Sequence, residues 1–105
     1  MHIPRLYEQF AEEHPEIIRN FQELGRICRE SGPLPPKSQE LINLGIAVGA
    51  GSRGAVMSHT RKALAAGATA EEITHAVRLS LTTTGFPNMM AALSWVEEVL
   101  SRQAS

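Results

Sequence analysis

Apolar positions recur along most of this 105-residue chain with the period of an α-helix, and Pro and Gly punctuate the pattern into six segments. Pro4 to Glu13 predicts a short first helix, ended at the His14-Pro15 step because the residue before a proline is driven out of the α region. Pro15 suits the start of a second helix, with Ile17, Ile18, Phe21, Leu24 and Cys28 at helical spacing. Gly32-Pro33-Leu34-Pro35-Pro36 cannot continue it and forms a loop. A third helix is expected from about Lys37 to Gly49. Its Leu41, Ile42, Leu44, Ile46 and Val48 are apolar nearly all round, which predicts a buried central helix.

The fourth segment, about Ser52 to Ala66, places Val56, His59, Thr60, Ala63 and Leu64 on one stripe, and Gly67 stops it. Thr69-Ala70-Glu71-Glu72 spells a capping box that opens a fifth helix running through about Thr83. Its stripe is Ile73, Ala76, Val77, Ser80 and Leu81. Gly85-Phe86-Pro87 breaks the pattern, and a last helix carries Met89, Leu93, Val96 and Leu100. The prediction is an all-α fold, a six-helix bundle forming a single domain over residues 1–105.

Composition agrees with this pattern. Apolar residues make up 43% and charged residues 20%, which is ordinary for a globular chain. Aromatics are scarce and Ala abundant, which favours close helix packing over a β-sandwich. Net charge is −1 with the cations dispersed, so nucleic acid is not an expected partner. The longest mainly apolar stretch, Leu41 to Val56, is interrupted by Asn43, Ser52, Arg53 and glycines, so no membrane span is expected. Met1-His2-Ile3-Pro4-Arg5 has no apolar signal core behind it, and a cytoplasmic location is expected. Cys28 is the only cysteine. It cannot form an internal disulfide, and its expected role is that of a small buried hydrophobe.

Gly49-Ala50-Gly51-Ser52-Arg53-Gly54 matches the G-x-G-x-x-G string of dinucleotide-binding proteins. That site also requires a preceding strand, and a second strand ending in an acidic residue roughly 20 positions on. Here Glu71 and Glu72 belong to a helix cap, so the glycines are read as a tight helix-to-helix turn and no cofactor is expected.

The chemistry concentrates on the third and fourth helices. Ser52, Ala55 and His59 are spaced to share one helix face. If these helices run antiparallel about Gly49 to Gly51, Glu40 and His59 differ in depth by roughly one turn, about 5 Å. A carboxylate meeting an imidazole inside a bundle fixes the tautomer and makes a general acid or base. The bland alternatives are a carboxylate complementing a helix dipole and a histidine satisfied within the core. His75 is expected on the exposed side of the fifth helix, and His2 and His14 in or beside loops, so no metal site is expected. Met89, Met90 and Trp95 read as core or interface packing.

Three stretches carry a resemblance: Leu34-Pro35-Pro36-Lys37-Ser38-Gln39-Glu40-Leu41-Ile42, His59-Thr60-Arg61-Lys62-Ala63-Leu64 and Ala66-Gly67-Ala68-Thr69-Ala70-Glu71-Glu72-Ile73. With the nineteen-residue separation of Glu40 and His59, they resemble the core of the carboxymuconolactone decarboxylase family, which belongs with the alkylhydroperoxidase D-like proteins. The resemblance runs from about residue 32 to 96 and implies the alkylhydroperoxidase D-like helical bundle.

In the peroxidase branch a C-x-x-C pair precedes the histidine by seven and four positions. The matching residues here are Ser52 and Ala55, which form no thiolate. What remains, Glu40 and His59, resembles the decarboxylase branch and implies catalytic roles for both. The implied substrate is a small anionic metabolite, with Arg53 and Ser52 as substrate-binding candidates and Arg61 a weaker one. The resemblance also implies a homotrimer or homohexamer. A thiol-less antioxidant relative and a non-catalytic oligomeric binding protein are the competing expectations.

Overall fold

A computed structural model describes residues 5–103. Pro4, the expected start of the first helix, and His2 lie outside the described residues. The described residues are helical with no strand, and they fall into two compact units, one ending at Pro33 and one beginning at Leu34.

The first unit holds α1 (Arg5–Glu13) and α2 (Pro15–Glu30). His14 separates them with φ −135° and ψ 63°, and Pro15 occupies the first position of α2, where its missing N–H costs no hydrogen bond. The Phe10 and His14 rings lie 4.9 Å apart across the junction. Both helices are strongly two-sided, yet neither contains a buried residue. Cys28 is exposed on α2, contrary to the expected buried hydrophobe. The reason is that α2 lays no face against a core within its unit.

The second unit holds α3 (Pro36–Ala50), α4 (Arg53–Ala65), α5 (Ala70–Arg78), α6 (Leu81–Thr84) and α7 (Phe86–Gln103). α3 packs along α4, and α7 lies against α4, α5 and α3. Their shared core is built on Leu44, Val48, Val56, Ile73, Val77 and Val96, all fully buried. Each such side chain contributes about 1.5–3 kcal/mol through burial. Thr60, the one buried polar residue among those described, donates its hydroxyl hydrogen to Val56 O at 2.7 Å and so carries no unpaired group inward.

The boundaries follow local chemistry. Thr69 caps α5 reciprocally with Glu72: Thr69 Oγ1 accepts from Glu72 N at 3.0 Å, and Glu72 Oε1 accepts from Thr69 N at 2.8 Å. Gly51 ends α3 in the left-handed region at φ +65°, where a side chain would be strained. The G-x-G-x-x-G string is thus a helix stop, a two-residue turn and a helix start.

Two further expectations change. The fifth helix is delivered in two pieces, because the chain leaves α5 at Leu79 and Ser80 before the single turn of α6. Val77 O accepts from the Ser80 backbone N–H at 3.0 Å and from Ser80 Oγ at 2.7 Å, a tightened last turn in which the hydroxyl adds to the backbone bond. Counting α5 and α6 as that one helix gives the six expected. In addition, α3 is not wholly buried: Leu44, Ala47 and Val48 face the core, while Ile42 and Ile46 stand 48% and 64% exposed.

Candidate functional site

The α3–α4 hairpin sets the site. Glu40 lies eleven residues before Gly51 and His59 eight after it, so a two-residue turn returns α4 alongside α3 and brings them level within about one turn. His59 Nδ1 and Glu40 Oε1 are 2.9 Å apart. Glu40 is the fifth residue of α3, and no acidic residue occupies that helix's first turn, which removes the dipole-complementing explanation for it.

An ionised carboxylate can only accept, so Nδ1–H donates to Glu40 and the lone pair or second proton of the imidazole resides on Nε2. The Glu40 side chain retains 12% of its accessibility and the His59 side chain 24%. The carboxylate is therefore the hidden, orienting member and the imidazole the reachable one. Held this way, the imidazole presents a fixed tautomer and can exchange a proton with a small molecule at Nε2.

The remaining sequence candidates are distributed differently. Ser52 is the N-cap of α4, its Oγ accepting from Ala55 N at 3.3 Å. The hydroxyl at the first of the two positions where thiols would stand is thereby engaged by the backbone. Arg53 is exposed, and its Nη2 donates to Glu98 Oε2 at 2.7 Å, tying the start of α4 to α7. Any anion taken up by Arg53 must compete with that carboxylate. Arg61 is half-buried on α4, and His75 is exposed on α5. No cluster of three or more His, Cys, Asp or Glu able to hold a metal occurs among the described residues. None of the helices among those residues is long and apolar enough to cross a membrane.

Sequence reasoning missed Asn88. Its Nδ2 donates to Val48 O at 2.8 Å and to Thr84 Oγ1 at 3.1 Å, clamping the end of α3, just before the Gly51 turn, onto the start of α7. The clamp fixes the hairpin whose register pairs Glu40 with His59. An amide two residues after the Gly85-Phe86 break was the only available signal.

This arrangement defines a class: an all-helical hairpin-based bundle presenting an oriented carboxylate–imidazole pair without a C-x-x-C pair ahead of the imidazole. The profile of the carboxymuconolactone decarboxylase family matches residues 15–98, and the chain belongs to that family. It is 29% identical over 90 residues to an uncharacterized protein from Cupriavidus necator, covering 86% of this chain and 80% of that one. Its fold is similar to the crystal structure of the apo form of a carboxymuconolactone decarboxylase family protein from Legionella pneumophila. The TM-score is 0.77 at 26% identity, covering 90% of this chain and 84% of the other.

Proposed function

We propose that the protein is a cofactor-independent decarboxylase acting on a small carboxylated lactone or a related oxo-acid, with Glu40 and His59 as its catalytic pair. The observation that carries this reading is the 2.9 Å contact between Nδ1 and the carboxylate, which leaves Nε2 as the proton-exchanging atom. In the reaction the bond to the carboxylate carbon breaks, carbon dioxide leaves, and the electron pair enters a dienolate conjugated with the lactone carbonyl. The imidazolium form of His59 stabilises that charge and delivers its Nε2 proton to carbon. Glu40 holds the ring through Nδ1 and balances its positive charge, and water then returns the proton. Ser52 and Arg53, at the start of α4, are proposed to receive the substrate's carboxylate, with Arg53 exchanging Glu98 for it. The engagement of Ser52 as a cap and the lack of a nucleophile at Ala55 favour this reading over thiol-dependent peroxide reduction.

The test is carbon dioxide release from a carboxylated muconolactone. Wild-type protein is expected to turn over, and Glu40→Gln and His59→Ala to lose about 10²–10⁴-fold in kcat. Absence of turnover by the folded wild type, or turnover indifferent to His59→Ala, overturns the proposal. Binding of the lactone without turnover would point instead to a non-catalytic binding protein. Hydroperoxide reduction by the wild type would restore the antioxidant alternative.

A further inference from the structure

Glu40 and His59 divide the work of the site so that proton traffic passes through one atom. Nδ1 is held by Glu40 Oε1 at 2.9 Å, which leaves Nε2 as the position that gains and loses a proton. The two preceding positions on that helix face offer no second acid or base. Ser52 Oγ is engaged as the α4 cap by Ala55 N, and Ala55 itself carries no functional group. The His59 side chain keeps 24% of its accessibility, so solvent reaches the ring and exchanges its N–H.

A proton transfer that runs through one atom runs through it in both directions, because forward and reverse share a transition state. If Nε2–H protonates the dienolate carbon, neutral Nε2 also takes that proton back from the finished lactone. The Glu40 carboxylate serves either direction. It accepts from Nδ1–H whether or not Nε2 is protonated, and it balances the charge of the imidazolium when it is. The reverse direction requires no departing carboxyl group on the substrate. It needs only a carbon acid whose conjugate base is the same dienolate, with a hydrogen on the carbon between a lactone carbonyl and a ring double bond.

We infer that the site has a second activity, the reversible removal of one ring hydrogen from β,γ-unsaturated lactones that carry no departing carboxyl group. The C–H bond breaks toward Nε2 of neutral His59, and its electron pair enters the dienolate. The imidazolium swaps its Nε2 proton for one from water and returns that one to the same carbon. The net change is exchange of a carbon-bound hydrogen with solvent, with nothing oxidised or reduced. Geometry adds a signature. A ring tied at Nδ1 presents Nε2 to one face of the planar lactone, so one of the two hydrogens on that carbon exchanges and the other stays. An unoriented imidazole in solution removes both alike. The inference rests on the decarboxylase reading for the identity of the dienolate, and on the Glu40–His59 contact for the atom that serves it.

The test uses the full-length chain in heavy water with α-angelica lactone, a β,γ-unsaturated lactone without a carboxyl group. Exchange at the ring methylene is followed by NMR and mass spectrometry and corrected for the buffer-catalysed rate. The wild type is expected to exchange about 10²-fold or more faster than free imidazole at equal concentration, and to pause at one deuteron per molecule. His59→Ala is expected to fall to background, and Glu40→Gln to lose about tenfold or more in kcat. His75→Ala, which removes an exposed imidazole on α5, is expected to match the wild type. Far-UV circular dichroism reports whether each variant is folded, and the one-deuteron pause is read on the wild type alone. A wild type that exchanges both hydrogens at equal rates, or neither, overturns the inference, as does exchange that survives His59→Ala. Carbon dioxide release from the carboxylated muconolactone without exchange of α-angelica lactone sinks this inference alone. Exchange without carbon dioxide release sinks the decarboxylase reading instead, and leaves lactone proton transfer as the activity of the site.

Discussion

Breaking the Glu40–His59 contact one partner at a time measures what it contributes to holding α3 against α4. The perturbation is a double-mutant cycle of Glu40→Ala, His59→Ala and the two combined. A hydrogen bond to a charged group contributes about 1.5–3 kcal/mol in net terms. The 24% accessibility of the His59 side chain admits solvent screening and moves the expected coupling to the low end, about 1–2 kcal/mol. For a chain of this size, 1 kcal/mol corresponds to about 4–8 °C in Tm. The double variant is therefore expected to melt at least about 4 °C above the additive sum of the singles. Urea unfolding followed by circular dichroism provides the free energies, at one fixed protein concentration because association would shift them. Additivity within about 0.3–0.5 kcal/mol would refute the contact, and the oriented-imidazole chemistry would fall with it. Replacing both residues by Leu sharpens the test. If the pair is retained for chemistry, that variant is expected to be neutral or more stable by up to about 4 kcal/mol, with no turnover.

Asn88→Ala removes the hydrogen bonds to Val48 O and Thr84 Oγ1, and is expected to cost about 1–3 kcal/mol by urea unfolding. It should also lower kcat, since the clamp sets the hairpin register. Undiminished stability would show the clamp to be absent in solution. The Thr69 backbone N–H, and then the Lys37 ammonium, hold the Glu72 carboxyl below the usual carboxylate range. A depressed folded-state pKa means the cap's contribution is complete above the ordinary Glu value and is lost as pH falls through the lower, folded one. Glu72→Gln is accordingly expected to be less stable than wild type near neutrality and to converge with it under acid. A difference independent of pH would refute that linkage.

The hairpin and its pair were legible because their determinants are local. A short glycine turn between two amphipathic helices leaves little freedom in register, so Glu40 and His59 could be matched by counting from Gly51. The α5 cap was legible for the same reason, since Thr69 and Glu72 are three residues apart. The break after Arg78 was not, because neither Pro nor Gly marks Leu79-Ser80, and it shows only in the folded chain's bonds from Ser80 N and Oγ to Val77 O. The Arg53–Glu98 pair and the Asn88 clamp span 45 and 40 residues, beyond what periodicity can specify. Helix α3 misled in a different way. Being apolar all round, it looked like the centre of a bundle, but Ile42 and Ile46 face outward.

Ser52 sets up a competition between two uses of one atom. Its Oγ terminates the ladder of α4 by accepting from Ala55 N, a role that hydroxyls and carboxylates fill well and sulfur fills poorly. Exchanging that oxygen for sulfur would place a nucleophile seven residues before His59 but weaken the cap, which is typically worth about 0.5–2 kcal/mol. The exchange in the opposite direction would release a lineage from any need for a reducing partner while tightening its helix. A capping oxygen and a thiolate thus compete for position 52, while a dithiol couple would need a second sulfur at position 55 as well. A chain drifting between them need change no other feature of its backbone, and the Glu40–His59 pair can outlast either choice.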